Sequence, residues 1–327
     1  MNSLELNLKN IGLIKEATIK IDGLTVIAGE NDTGKSTVGK SLFFINEYNF
    51  ERLLSYFIDI FSFQPQENVE ITFNERIFNL KEINLDGSKS FYITFIETPI
   101  ITNLFHLFSQ LDTVQNEITA KLLNSNIDKI ENSIIHLMKK YRFNIPFTLQ
   151  DLYKKLHLGL NEKSSLDQDE FLNNLKNIID GEFIYVPFKE LIFKRGNQEF
   201  DVNSVATGIK NFGILQLLIK NNYLTKDSIL IVDEPEAHLH PKWQLEYAKF
   251  IVELVKNGVK VLITSHSPYM VEALELYSKQ ENINTHFYLA NKVNEASIIE
   301  NVSHNLERIY KKLAEPFSLL EELDDAE

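Results

Sequence analysis

Gly29-Glu30-Asn31-Asp32-Thr33-Gly34-Lys35-Ser36-Thr37 decides how the rest of this 327-residue chain is read. The stretch fits the phosphate-loop pattern GxxxxGK[ST] at each fixed position. Its flanks fit as well: Leu24-Thr25-Val26-Ile27-Ala28 reads as a buried strand and Val38 to Ile45 as a helix. Glycines let backbone N–H groups turn onto an anion, and the following helix adds the positive end of its dipole. Lys35 would reach the outer phosphates as a point charge, and the Ser36 hydroxyl offers Mg²⁺ a hard oxygen. Gly29, Asn31, Asp32, Thr33, Gly34 and Thr37 complete the expected ATP cradle. An ordinary strand–turn–helix connection competes with this reading, so the rest of the chain has to decide.

Upstream, residues 4 to 21 alternate about a turn at Asn10-Ile11-Gly12 and read as a hairpin leading into the loop strand. Downstream, Val69 to Phe73, Arg76 to Ile83 and Ser90 to Ile96 are β-rich and read together as a small antiparallel sheet. From Pro99 the period changes to three and four, through Leu104, Leu107, Phe108 and Leu111 and again through Ile127 to Leu137. Residues 99 to 180 are therefore read as a helical insertion, with further helices at Leu149 to Leu160 and Asp169 to Ile179. Strands return at Glu182 to Val186, Leu191 to Lys194 and Gln198 to Val202, followed by a helix from about Gly208 to Lys220. Ser228 to Val232 and Val259 to Thr264 are strongly apolar strands around a helix at Pro241 to Lys256. That alternation implies a parallel sheet shared with the loop strand.

The apolar strand before Asp233-Glu234 ends in two carboxylates. About two hundred residues after a phosphate loop, such a pair suits a magnesium site at Asp233 and a water-activating general base at Glu234. Val261-Leu262-Ile263-Thr264-Ser265-His266 is a second buried strand with a polar end, where a lone His is usually structural. Val205-Ala206-Thr207-Gly208 precedes a helix, and Thr207 and Gly208 form a candidate anion-binding start; a plain helix cap is the alternative. Tyr92 to Ile96 ends at Glu97-Thr98-Pro99, an ordinary turn on its residues alone.

Together these segments resemble the ABC-type ATPases, in the form used by the OLD, RecF and SMC-like (AAA-15/AAA-21) branch. The resemblance rests on the loop, on Asp233-Glu234-Pro235-Glu236-Ala237-His238-Leu239-His240-Pro241, on Thr264-Ser265-His266-Ser267-Pro268, and on the Thr207-Gly208 signature. It implies an α/β P-loop ATPase head with a mixed central sheet, an antiparallel β-subdomain and an inserted helical lobe. It makes His266 a contact of the outermost phosphate. It assigns Glu97, as a Mg²⁺ or water contact, to the glutamine-loop position, where this chain departs from the usual residue, and makes the His238–His240 stretch a dimer-contacting loop. Signature residues Ile209-Lys210 differ from the Gly-Gln of transporters. The implied division is 1–98 for the first part of the ATPase lobe, 99–180 for the insertion, 181–314 for the second part and 315–327 for an acidic tail. A homodimer closed head-to-tail around ATP and Mg²⁺ would complete each site with the partner's Thr207-Gly208.

Composition limits what such a head would act on. The chain carries 46 acidic and 33 basic residues, a formal charge of −13, which opposes sequence-independent capture of nucleic acid. Residues 99–180 nearly balance, with nine basic and ten acidic side chains. No apolar run approaches the ~20 residues of a membrane span, and Met1-Asn2-Ser3-Leu4-Glu5 lacks the form of a signal peptide, so a cytoplasmic protein without membrane partners is expected. Absence of cysteine removes disulfides and thiol chemistry. Glu315 to Glu327 holds six acidic residues and no basic one, and reads as a frayed end or an acidic docking segment. With 61 residues after His266 and no acidic metal cluster there, a fused nuclease is not expected. A stand-alone ATPase gating a separate effector, a nuclease or toxin in bacterial anti-phage defence, is the leading expectation. A RecF-like DNA repair ATPase and a transporter's ATP-binding subunit are the alternatives.

Overall fold

The computed structural model describes residues 4–47, 53–81, 83–84, 91–104, 146–160, 166–186 and 190–324. Its centre is built from strands that are buried along almost their whole length: β3 (Leu24–Ala28), β11 (Ser228–Asp233) and β12 (Lys260–Ser265). Near-continuous apolar sequence is what a parallel sheet covered on both faces requires. Alternate residues divide between two cores. Leu24, Val26, Leu230, Val232, Val261 and Ile263 pack with helices α5 (Thr207–Lys220), α6 (Pro241–Lys256) and α7 (Pro268–Gln280). Ile27, Ile229, Ile231 and Leu262 pack with α1 (Lys35–Glu47) and α2 (Leu53–Phe61), where Phe44 meets Phe57, Phe61 and Phe78 edge-on.

The expected hairpin is β1 (Glu5–Ile11) and β2 (Ile14–Lys20), paired antiparallel with Glu5 opposite Lys20. It continues through β4 (Glu70–Phe73), β5 (Arg76–Asn79) and the short β6 (Ile83–Asn84), all antiparallel. The third expected member of that small sheet lies elsewhere. The run 90–96 forms β7 (Tyr92–Ile96), which pairs parallel with β11 at the far edge of the central sheet. The physical reason is in its burial: β4 alternates between half-buried and buried, whereas four consecutive residues of β7 are buried. Two further strands were not anticipated. β13 (Thr285–Val293) and β14 (Ala296–Asn301) turn at Asn294, which has a left-handed φ of 57°. β13 inserts parallel beside β3, with Leu289 opposite Ala28. The resulting eleven-stranded order is β6-β5-β4-β1-β2-β14-β13-β3-β12-β11-β7.

A separate antiparallel sheet joins β8 (Glu182–Val186), β9 (Glu190–Arg195) and β10 (Gln198–Asp201). It seats α5 closely, since a Cβ on Gly213 would lie 2.2 Å from the ring of Phe183. In the expected insertion, the described parts are a 3-10 turn (Pro99–Leu104), α3 (Phe147–His157) and α4 (Gln168–Ile179). The helical stripes expected through Leu107 to Leu137 lie outside the described residues. α3 closes the free side of β7: buried Lys155 donates to the Ile93 carbonyl at 2.5 Å and pairs with Asp151 at 2.7 Å. Burial pushes the Asp151 carboxyl up, and Lys155 opposes that push. The final helix, α8 (Glu307–Asp324), runs on into the acidic tail, so the backbone there is helical up to residue 324. Among the described residues no helix is long and apolar enough to cross a membrane.

Candidate active site

The site lies at the ends of β3, β11 and β12, where the chain leaves the sheet and its polar groups are free to converge. β3 runs into the loop at Gly29, whose N–H donates to the Ser265 carbonyl at 3.2 Å. Gly29 is required by close approach, because a Cβ there would meet the Ala290 carbonyl oxygen at 2.3 Å. Gly34 has φ +81°, a left-handed conformation that an L side chain resists. α1 begins at Lys35, which is 3% exposed. Its ammonium donates to the Glu30 carbonyl at 2.7 Å and lies 3.3 Å from Glu234 Oε1. Thr33 Oγ1 donates to the same Glu30 carbonyl at 2.8 Å.

The acidic pair is placed by β11 and held by β12. Asp233 Oδ1 accepts a hydrogen bond from Thr264 Oγ1 at 2.5 Å. Burial pushes the Asp233 carboxyl up; bonds from Thr264 and Ser36 pull it down, and the neighbouring Glu234 and Glu97 raise it again. Glu234 takes a left-handed φ of 46°, fixed by its N–H donating to both the carbonyl and the hydroxyl of Thr264 at 3.1 Å. Such a backbone is uncommon at a non-glycine residue. Glu234 Oε2 lies 3.4 Å from His266 Nδ1. The bond from His266 holds the Glu234 carboxyl down despite its burial, and the same contact raises the imidazole.

Sequence reasoning quoted Glu236 but gave it no role. It is 5% exposed, and its Oε1 accepts from Ser265 Oγ at 2.8 Å, His266 N at 2.7 Å and Ser267 N at 3.2 Å. Ser267 Oγ in turn donates to Gln244 Oε1 at 2.7 Å. Glu236 therefore fixes the backbone that presents His266. Its signal in sequence is a carboxylate inside an otherwise apolar turn, Pro235-Glu236-Ala237, where burial demands several donors.

Glu97 follows β7 and is held by Lys40 of α1 at 3.0 Å and by Thr148 Oγ1 of α3 at 2.9 Å. It contributes to the field at Asp233. Thr207 and Gly208 are not among the side chains gathered around Lys35. Thr207 is the first residue of α5, Ala206 at the cap provides no side-chain acceptor, and Gly208 packs against Leu239 and Trp243. Lys210 is buried, donates to Asn103 Oδ1 at 2.5 Å, and has its pKa lowered by that burial. His238 and His240 are exposed, and His240 Nδ1 accepts from Lys242 N at the start of α6.

The donors fit a magnesium nucleotide. Ser36 and Asp233 are adjacent hard oxygens, and Mg²⁺ binds through one or two carboxylates together with substrate phosphates. Among the described residues no group of three or more acidic or histidine side chains forms a metal cage of its own.

Residues 164–271 match the AAA ATPase domain AAA_15. The chain is 26% identical over 148 residues to a Septu protein PtuA of Bacillus mycoides (strain KBAB4), covering 39% of this chain and 20% of that protein. It is 23% identical over 309 residues to a Septu protein PtuA of Bacillus thuringiensis, covering 82% and 72% respectively. The SMC head bound to the C-terminal winged-helix domain of ScpA matches with a TM-score of 0.51 at 15% identity, over 94% of this chain and 99% of that one. The fold is the α/β P-loop ATPase fold, a mixed sheet with helices, shared with that SMC head. The matched stretch, about a third of the chain, is similar to the AAA-15 ATPase domain.

Proposed function

We propose that this head binds and hydrolyses ATP as a head-to-tail homodimer in the cytoplasm, and that hydrolysis gates a separately encoded effector, a nuclease or toxin, in bacterial anti-phage defence. The observation that carries the catalytic part is the meeting of Lys35, Glu234 and His266 within 3.4 Å of one carboxylate. The defence setting is favoured by the likeness to two Septu proteins, one of them over most of this chain.

Ser36 and Asp233 would hold Mg²⁺, which when bound supplies charge neutralisation of the phosphates. Lys35 is already desolvated and directed into the loop, so it leaves Glu234 for the triphosphate without reorganising the backbone. Glu234 Oε1 then accepts the proton of the attacking water, which is general-base work. His266 keeps the other carboxylate oxygen oriented and donates toward the outermost phosphate. Glu236 holds His266 in position, and Glu97 completes the polar rim. Thr207 and Gly208 serve the partner's nucleotide through the open start of α5.

The test is Glu234→Gln. Turnover should be lost while ATP-induced dimers persist in light scattering; normal turnover, or an ATP-independent monomer, defeats the corresponding half of the reading.

A further inference from the structure

The phosphate loop carries an electrostatic conflict. Between Gly29 and Thr37 it places two carboxylates, Glu30 and Asp32, against the one ammonium of Lys35, in a loop read as the seat of a polyanion. Like charges this close to a triphosphate oppose its entry. Both side chains are exposed, at 51% and 71%, so burial does not neutralise them.

Each carboxylate is met by a lysine from the C-terminal part of the chain. Lys292, near the end of β13, pairs with Asp32 Oδ2. Lys312, in the second turn of α8, lies 3.5 Å from Glu30 Oε2 and shares its charge with Glu315 at 2.6 Å. The backbone beneath is fitted to hold them there. Ala290 closes on Gly29, and Ser297 of β14 lies under Gly34, with its hydroxyl 3.6 Å from where a Cβ would stand. The hairpin that forms the floor of the loop thus also delivers Lys292 to its rim, and α8 delivers Lys312.

We propose that Lys292 and Lys312 are positioning residues for nucleotide binding, which cancel the charge of Asp32 and Glu30 and hold the loop open to a triphosphate. As ion pairs they add little to stability, because exposed pairs are worth at most about 1 kcal/mol. Their effect is on the field at the loop, which a tetra-anionic ligand experiences more strongly than a di-anionic one. The inference rests on the reading of this loop as an ATP site.

The test measures affinity for ATP, ADP and AMP by titration at low and high salt. The chains compared are the parent, Lys292→Met with Lys312→Met, and the same pair combined with Glu30→Gln and Asp32→Asn. In the lysine variant ATP affinity should fall about tenfold at low salt, ADP less and AMP least, with the loss shrinking at 0.5 M salt as screening shortens to a few ångströms. Removing the two carboxylates as well should return ATP affinity to within about twofold of the parent, as expected when one field is cancelled by another. Parent-like ATP binding by the lysine variant overturns the inference. So does an equal loss for all three nucleotides, or failure of the fourfold variant to recover, since each would indicate a structural role. A parent that binds no ATP defeats the nucleotide reading itself, which is a separate result.

Discussion

At the ends of β11 and β12, most polar groups are answered within the chain, Glu236 Oε2 being a buried exception. Asp233 has Thr264, Glu234 has Lys35 and His266, and Glu236 collects three donors from residues 265 to 267. At the start of α5 the situation differs. Ala206 has no side-chain acceptor to cap the helix, and among the leading N–H groups Ile209 donates to the Ala206 carbonyl at 3.0 Å. The contrast teaches that the carboxylates at the strand ends are held by contacts within the chain, whereas the start of α5 has no side-chain cap. Under the proposed dimer that is a useful division: nucleotide can load into a finished pocket, and chemistry waits for the second chain.

The largest expected effects break this contrast outright. Glu234→Gln should lower turnover at least about 100-fold, the scale of a lost general base, with ATP binding kept. Lys35→Ala should abolish nucleotide binding, and Gly208→Asp should spare binding but stop hydrolysis. Mixing the last two chains is decisive, because a mixed dimer regains one intact composite site. Recovered activity in the mixture supports completion in trans, and none in any ratio counts against it.

Smaller effects sharpen the boundary between the halves. Glu236→Ala removes the acceptor of Ser265 Oγ and His266 N, Ser267 N keeping Ser265 Oγ, and should cost about 3 kcal/mol of stability, read as a lower thermal midpoint, while Glu236→Gln keeps most of it. Gly213→Ala forces a methyl into the Phe183 ring and should cost about 1–3 kcal/mol. By shifting α5 it should also impair hydrolysis more than ATP binding. The least effect is pH-dependent. Glu234 raises the His266 pKa, so their mutual stabilisation is fully present below the unfolded imidazole value of 6.5 and is lost as pH rises through the folded value. His266→Gln should therefore depress the thermal midpoint more at pH 6 than at pH 9; an equal depression at both excludes the pairing.

The parts of the fold that were legible in the sequence are those in which local pattern and tertiary environment agree. The loop, the acid-tipped strand and the helix at Pro241 to Lys256 are continuous, strongly patterned segments with defined stops. β7 was misread because a short β-rich run carries no record of its neighbours, and only its unbroken burial distinguishes a central-sheet strand from a third member of the antiparallel ribbon. β13 and β14 escaped because β13 enters the sheet beside a strand some 260 positions away in the chain, a pairing that periodicity does not encode. In the site, the type of residue at the strand ends was readable. The role of Glu236 was not, since it depends on donors that come together only when β11 and β12 lie side by side.

The lysine that α3 inserts against β7 has a consequence beyond local packing. Among the described residues β7 is the last strand of its sheet, and an unguarded edge there would offer backbone groups to any extended chain nearby. Lys155 occupies one of those carbonyls and puts a charge where a foreign strand would dock. α3 is thus also a guard against aggregation. A chain shortened by deleting it should be prone to stack through β7 and to lose solubility, even if each nucleotide-binding residue were kept.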